Sequence, residues 1–175
     1  MIRAFNKTTP LIGEGTLIDE TAWVTGDVVL GKDCFILPMT VLRGDVNSIR
    51  VGDRTNIQDG SVCHVNNTHS PYITASQLII GDDVTIGHRV ILHGCQLHSR
   101  CLIGMGSIIM DNAVVEEEVI VGAGTLVPPN KVLKRGFLWM GSPAREIRPL
   151  TADEKNSILY SAQHYVLLKN QYLNC

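Results

Sequence analysis

Aliphatic residues recur at every sixth position along most of this chain, beginning with Ile12, Ile18, Val24, Leu30, Ile36 and Leu42. The series resumes at Val51, Ile57 and Cys63, at Ile80, Ile86 and Leu92, and at Leu97, Ile103 and Ile109. Val115, Val121, Val127 and Leu133 complete it. Glycine often follows the aliphatic residue, as in Leu30-Gly31, Val51-Gly52, Ile86-Gly87 and Val121-Gly122. Self-similarity at this fixed period predicts an all-β solenoid, the left-handed parallel β-helix of hexapeptide repeats. The period gives only the six-residue unit; known left-handed hexapeptide helices supply the rest, in which each unit forms one side of a triangular prism and three units close a coil. Neighbouring strands lie ~4.8 Å apart, so the coils stack into a prism ~30 Å tall. Each coil buries its aliphatic row against the next, and no single repeat is stable alone.

The rhythm breaks in three places: nine residues separate Leu42 from Val51, seventeen separate Cys63 from Ile80, and five separate Leu92 from Leu97. The long excursion contains Val65-Asn66-Asn67-Thr68-His69-Ser70-Pro71. Excursions from a strict scaffold are where function tends to be carried. Pro128-Pro129 and Gly141-Ser142-Pro143 are expected to take the chain off the prism. Thr151-Ala152-Asp153-Glu154 then has the form of a capping box. It predicts a terminal helix with an apolar stripe at Ile158, Ala162, Tyr165, Val166 and Tyr172. The expected organisation is a β-helix domain over residues 1–149, with residues 150–175 forming a C-terminal helix packed on it.

Length and charge narrow the function classes. At 175 residues the chain is one domain's length, with 18% charged residues and a formal net charge of -2. No basic stripe points to nucleic acid. The first residues lack the apolar run of a signal peptide, and no stretch of 18 consecutive apolar residues points to a membrane. The five cysteines form no CxxC pair, and their odd number argues against a purely intramolecular disulfide framework. Cys34 and Cys101 fall at small inward positions and Cys63 falls on the beat itself, so all three read as core packing. A reducing, cytoplasmic setting is expected.

Aligning the coils sorts the polar residues into columns. Arg43, His64 and His93 each follow a third-beat residue and should stack on one side of the prism. His64 and His93 are then one strand spacing apart, close enough for both imidazoles to reach one zinc ion at ~2.0–2.1 Å. Asp59 and His88 share an offset on the second beat, a turn of the prism away from that column. His88 is therefore easier to supply to the column from a neighbouring subunit. Two histidines in register are equally compatible with ordinary surface residues. Arg43, Asp45, Asn56, Gln58 and Asp59 in the same coils fit either a site or turn chemistry and ion pairing between subunits.

Longer motifs carry a resemblance. Arg43-Gly44-Asp45, Asn56-Ile57-Gln58-Asp59-Gly60 with His64, and Gly87-His88-Arg89-Val90-Ile91-Leu92-His93-Gly94 resemble the gamma-class carbonic anhydrase family. The similarity spans nearly the whole chain and is greatest to the short bacterial members of the YrdA type. It implies a homotrimer with zinc, or iron or cobalt, held between subunits by His64 and His93 of one chain and His88 of the next. It also implies that Arg43 and Asp59 pair across the interface, that Gln58 lies near the metal-bound solvent, that Asp45 orders the site, and that Asn56 belongs to the same set. The implied activity is reversible hydration of CO2 to bicarbonate by metal-bound hydroxide. Two positions depart from the founding enzymes of that family: acidic residues that serve proton transfer there are replaced by Val46 and Asn67. His69, with a reference pKa of ~6.5, is the imidazole available as a substitute.

Two other function classes share the scaffold. Hexapeptide acyltransferases use one catalytic histidine without metal, and a metal-binding or thioesterase-like protein would act on a different small substrate. Fold alone does not choose among them.

Overall fold

The computed structural model describes residues 1–67 and 76–174. Every aliphatic row of the six-residue beat is a register line in it. Ile12, Leu30, Val51, Ile80, Leu97, Val115 and Leu133 pair in succession along one face. Ile18, Ile36, Ile57, Ile86, Ile103 and Val121 line the second face. Val24, Leu42, Cys63, Leu92, Ile109 and Val127 line the third. The result is a parallel β-solenoid of about seven turns with one C-terminal helix. Apart from the first coil, where Ile12 is exposed and Ile18 half-buried, these rows are buried and form one continuous core.

Corners follow from local backbone chemistry. Asp33, Arg54, Asp83, Arg100 and Glu118, each three residues past a first-face aliphatic, have φ of 52–57°. Met39, Gly60, Arg89, Gly106 and Gly124 hold the equivalent left-handed corner after the second face. After the third face the corner is made by Gly94, Asn112 and Asn130. Gly94 comes one residue early, which accounts for the five-residue step to Leu97.

Two strands are longer than the repeat predicts. Trp23–Leu30 and Val41–Val51 run around the corner from the third face to the first, merging those faces into one sheet. Their pairing slips between Gly26 and Val28, because the partner strand has extra residues between Gly44 and Ile49. The nine-residue step is therefore a bulge, and Asp45 and Val46 ride on it. Bulges of this kind re-aim side chains beside functional sites.

One expectation needs correction. Pro128-Pro129 does not take the chain off the prism: Val132–Leu133 and Phe137–Met140 continue the parallel ladders, and Trp139 pairs with Val121. The two prolines end a strand, where a missing N–H donor is tolerated. The chain leaves the prism at Gly141-Ser142-Pro143 and returns antiparallel as Arg145–Pro149.

Helix Ala152–Leu173 begins with the expected reciprocal capping box between Thr151 and Glu154. It lies on the second face, against Phe35–Ile36, Asn56–Ile57 and Thr85–Ile86. Ile158 and Ala162 are buried, Tyr165 and Val166 are half-buried, and Tyr172 is exposed but touches the Phe35 ring. Lys169 extends the buried stripe. Its ammonium donates to Gly15 O (2.6 Å), Asp33 Oδ1 (3.0 Å) and Asn170 Oδ1 (2.7 Å), which satisfies all three N–H groups. Lys169→Ala should lower stability by about 1–3 kcal/mol through these lost bonds. Lys169→Met should cost less because it keeps the packed stem, and urea melts of the two variants check the difference.

Cys34, Cys63, Cys95 and Cys101 are free and buried. Burial pushes their thiols up, to about 12 at Cys63, so they are protonated, inert core residues.

Candidate metal centre

The third face and the bulge beside it assemble one polar chain. His64 and His93 are direct register partners, as the columns predicted. Their Nδ1 and Nε2 atoms lie 3.2 Å apart. The outer nitrogen of each ring meets a carboxylate: His64 Nε2 lies 3.1 Å from Asp45 Oδ1, and His93 Nδ1 lies 2.6 Å from Asp111 Oδ1. Arg43 closes the chain with a 2.6 Å bond from Nη1 to Asp45 Oδ2.

This arrangement has a consequence for the inner pair. An ionised carboxylate only accepts hydrogen bonds, so each neutral imidazole must keep its proton on the outer nitrogen. Two lone pairs then face each other across 3.2 Å with no hydrogen between them. Such a contact is unfavourable unless a further proton or a metal ion enters it. Two ligands at tetrahedral angles around an ion at ~2.0–2.1 Å are separated by ~3.3 Å, close to the spacing found. The donor set also fits: histidines that bind metal commonly give their other N–H to a carboxylate. His64 and His93 therefore fit as two ligands of a divalent ion.

Electrostatics keep His64 in the form such an ion needs. Burial is the largest influence lowering its pKa, aided by the Arg43 and His93 charges and opposed by Asp45. At Asp45 burial opposes ionisation, but Arg43 and His64 outweigh it and hold the carboxyl below its ordinary value.

His88 is elsewhere on the chain. It lies just before the left-handed corner residue Arg89, beyond the second face, with Nδ1 2.8 Å from Asp59 Oδ2. This is a third histidine–carboxylate pair, about half exposed. Tyr165 of the terminal helix is near enough that burial and then the Asp59 charge raise its phenol pKa. Among the described residues, no group of three His, Cys, Asp or Glu side chains is arranged within one chain to hold a metal.

Asn56 and Gln58 form a third, separate group. Asn56 is almost completely buried beside the helix, bonded through Nδ2 to Thr85 Oγ1 (3.0 Å), which in turn donates to Ser161 Oγ (3.1 Å). Gln58 Nε2 donates to Asn56 Oδ1 at 3.2 Å. Asn56 is thus placed to hold the Gln58 amide rather than to touch a ligand. Val46 lies exposed beside Asp45, and His69 falls outside the described residues. Asp111 was absent from the sequence expectations; the register that set His64 against His93 also sets Leu92 against Ile109, two residues before it.

YrdA of Escherichia coli is 48% identical over 174 residues, covering 99% of this chain and 95% of its own. A carbonic anhydrase of Geobacillus kaustophilus is 40% identical over 182 residues, covering 100% of this chain and 96% of its own. The chain belongs to the gamma-carbonic-anhydrase-like hexapeptide-repeat family. Within that family it is close to YrdA. No protein-family model matches the chain. Among solved structures, a hexapeptide transferase family protein from Anaplasma phagocytophilum superimposes with a TM-score of 0.91 at 39% identity, covering 98% of each chain. Relatives on this solenoid are thus named both for carbonic anhydrase and for a hexapeptide transferase family.

Proposed function

We propose that this protein is a metal-dependent enzyme of the carbonic anhydrase type, hydrating CO2 reversibly, with zinc as the metal and iron or cobalt as alternatives. The observation that carries this reading is the facing pair of His64 Nδ1 and His93 Nε2, 3.2 Å apart, each ring backed by a carboxylate. His88 completes the ligand set from a second copy of the chain. A metal held there supplies Lewis acidity, bringing the pKa of water to ~7 so that a nucleophile exists at neutral pH. The chain's own groups do the rest. Asp45 and Asp111 hold the two imidazoles in register, Asp59 does the same for His88, and Gln58, steadied by Asn56, presents an amide to the substrate.

The division of ligands calls for a second copy of the chain, and we take the assembly to be a homotrimer. The His64/His93 column and the His88–Asp59 pair are different surfaces, so a contact joining them is head-to-tail, the kind that closes as a ring where its rotation permits. Val62, Ile91 and Ile108 form a part-exposed apolar row on the same face as the histidine column, at 39%, 41% and 36% exposure. A neighbour covering this row would bring its His88 to the column. Arg43, about half exposed, retains donors beyond its bond to Asp45 for that neighbour's Asp59. Arg43→Ala should therefore weaken assembly, shifting light-scattering mass from trimer toward monomer on dilution. A monomeric native protein that still binds stoichiometric metal would sink the shared site.

Among the described residues no helix is long and apolar enough to cross a membrane. The four free buried thiols support a reducing, cytoplasmic setting.

Acyl transfer is the second reading, favoured by a 38% identical solved relative from Bacillus cereus named as an acetyltransferase. That chemistry needs one histidine and no metal. Metal analysis of protein purified anaerobically without chelator separates the two readings. A CO2-hydration assay run beside a panel of thioesters then identifies the substrate class.

A further inference from the structure

Asp111 has no place in the motifs, yet it makes the shorter of the two carboxylate contacts to the histidine column, 2.6 Å against 3.1 Å. We propose that Asp111 is a positioning residue that fixes the proton of His93 on Nδ1 and so keeps the His93 Nε2 lone pair aimed at the metal. This rests on the reading of His64 and His93 as metal ligands.

The fold commits space to this contact. Gly94, directly after His93, has φ of +53°, and a Cβ there would lie 2.8 Å from Asp111 Oδ1 and also collide with Ser76 Oγ. Backbone bonds lock the same place: Gly94 N donates to His64 O at 3.0 Å, and Asn112 N donates to Gly94 O at 2.8 Å. Asp111 therefore sits on a backbone tied to both histidine strands. Across the gap, Ser76 is tied to Asn66 through both backbone and side chain, which closes the base of the long excursion against the same corner.

The chemical reason for the carboxylate is the alternative it prevents. Without an acceptor at Nδ1, His93 can move its proton to Nε2 and donate to His64 Nδ1 across the 3.2 Å gap. That hydrogen bond satisfies both rings and occupies the two lone pairs a cation would use. A carboxylate cannot donate, so Asp111 forbids the closed arrangement. An asparagine permits it, because its NH2 group can donate to Nδ1. Asp111→Asn should therefore be as damaging as Asp111→Ala, although it is nearly the same shape.

The test uses the full-length protein in its native assembly. Zinc affinity is measured by chelator competition for wild type, Asp111→Asn and Asp111→Ala. Nitrogen NMR of the imidazoles in the metal-free protein reports which ring atom of His93 holds the proton. The expected result is a loss of about 10–100-fold in zinc affinity for both variants. The His93 proton should sit on Nδ1 in wild type and move to Nε2 in both variants, with folding unchanged. Unaltered affinity in the variants would overturn the proposal. So would a weakened affinity with the tautomer unmoved, since that makes Asp111 a distant charge only. A wild type that takes up no zinc refutes the metal reading instead, while the tautomer comparison still judges Asp111 in that case.

Discussion

Trimers assembled from a mixture of His88→Ala and His64→Ala chains should bind metal, although neither variant binds it alone. Each single variant leaves two ligands at every site, so zinc content after gel filtration should fall to background while the β-rich circular dichroism persists. In a mixed ring the outcome depends on neighbours. A complete site forms only where a His88→Ala chain, which keeps His64 and His93, faces the His88 of a His64→Ala chain. Going round a ring of three, that order occurs once in every mixed trimer. A statistical one-to-one mixture should therefore recover about one quarter of the wild-type zinc. Metal analysis of co-refolded protein checks the fraction. A site built within one chain predicts no recovery at any ratio. Retention of stoichiometric zinc by His88→Ala alone would remove that residue from the ligand set.

The geometry behind this test was largely legible in the sequence, because a six-residue period leaves little choice of register. Once Cys63 and Leu92 are assigned to one row, His64 must oppose His93, and the structure has them as partners. The same rule places His88 and Asp59 together away from that column, and they bond at 2.8 Å. What escaped was whatever the aliphatic count ignores. Trp139 continues the beat six residues after Leu133 but is aromatic, so an aliphatic count stops one position short of it. Lys169 falls in line with the buried helix face, and a charged residue is not sought in an apolar stripe.

Other features depend on packing that no period encodes. Burial of Asn56 follows from where the helix docks, which is set by Ile158, Ala162 and the Thr85–Ser161 contact together. The bulge that aims Asp45 at His64 appeared in the sequence only as a longer step. Asp111 shows the limit most clearly: its column position was computable, but nothing marked a lone aspartate as a partner for a histidine in the preceding coil until the 2.6 Å contact was seen.

CO2 hydration by this protein should be slow in weak buffer and should rise when imidazole-type buffers are added. Turnover requires a proton to leave the site after each attack, and it needs an acceptor that titrates near neutral pH. Two positions where the resemblance to the founding enzymes calls for acidic residues hold Val46 and Asn67 here. Val46 is exposed on the bulge immediately after Asp45, so an acidic side chain there would reach solvent beside the histidine column. Asp45 itself is held ionised by Arg43 and His64, below its ordinary carboxyl pKa, which makes it a poor carrier of a proton. On the proposed reading, the expected bottleneck is therefore export rather than attack. Val46→Glu with Asn67→Glu should raise the rate in weak buffer and reduce the response to imidazole, since such groups typically contribute ~10²–10⁴-fold. His69→Ala should lower any residual rate if that imidazole serves as the native carrier. The measurement must compare fully metallated trimers, so that poor loading is not read as poor proton transfer. Fast hydration in weak buffer, indifferent to imidazole, would refute the export bottleneck. Inactivity in every buffer with metal in place would direct attention to the thioester panel and a different small substrate on the same site.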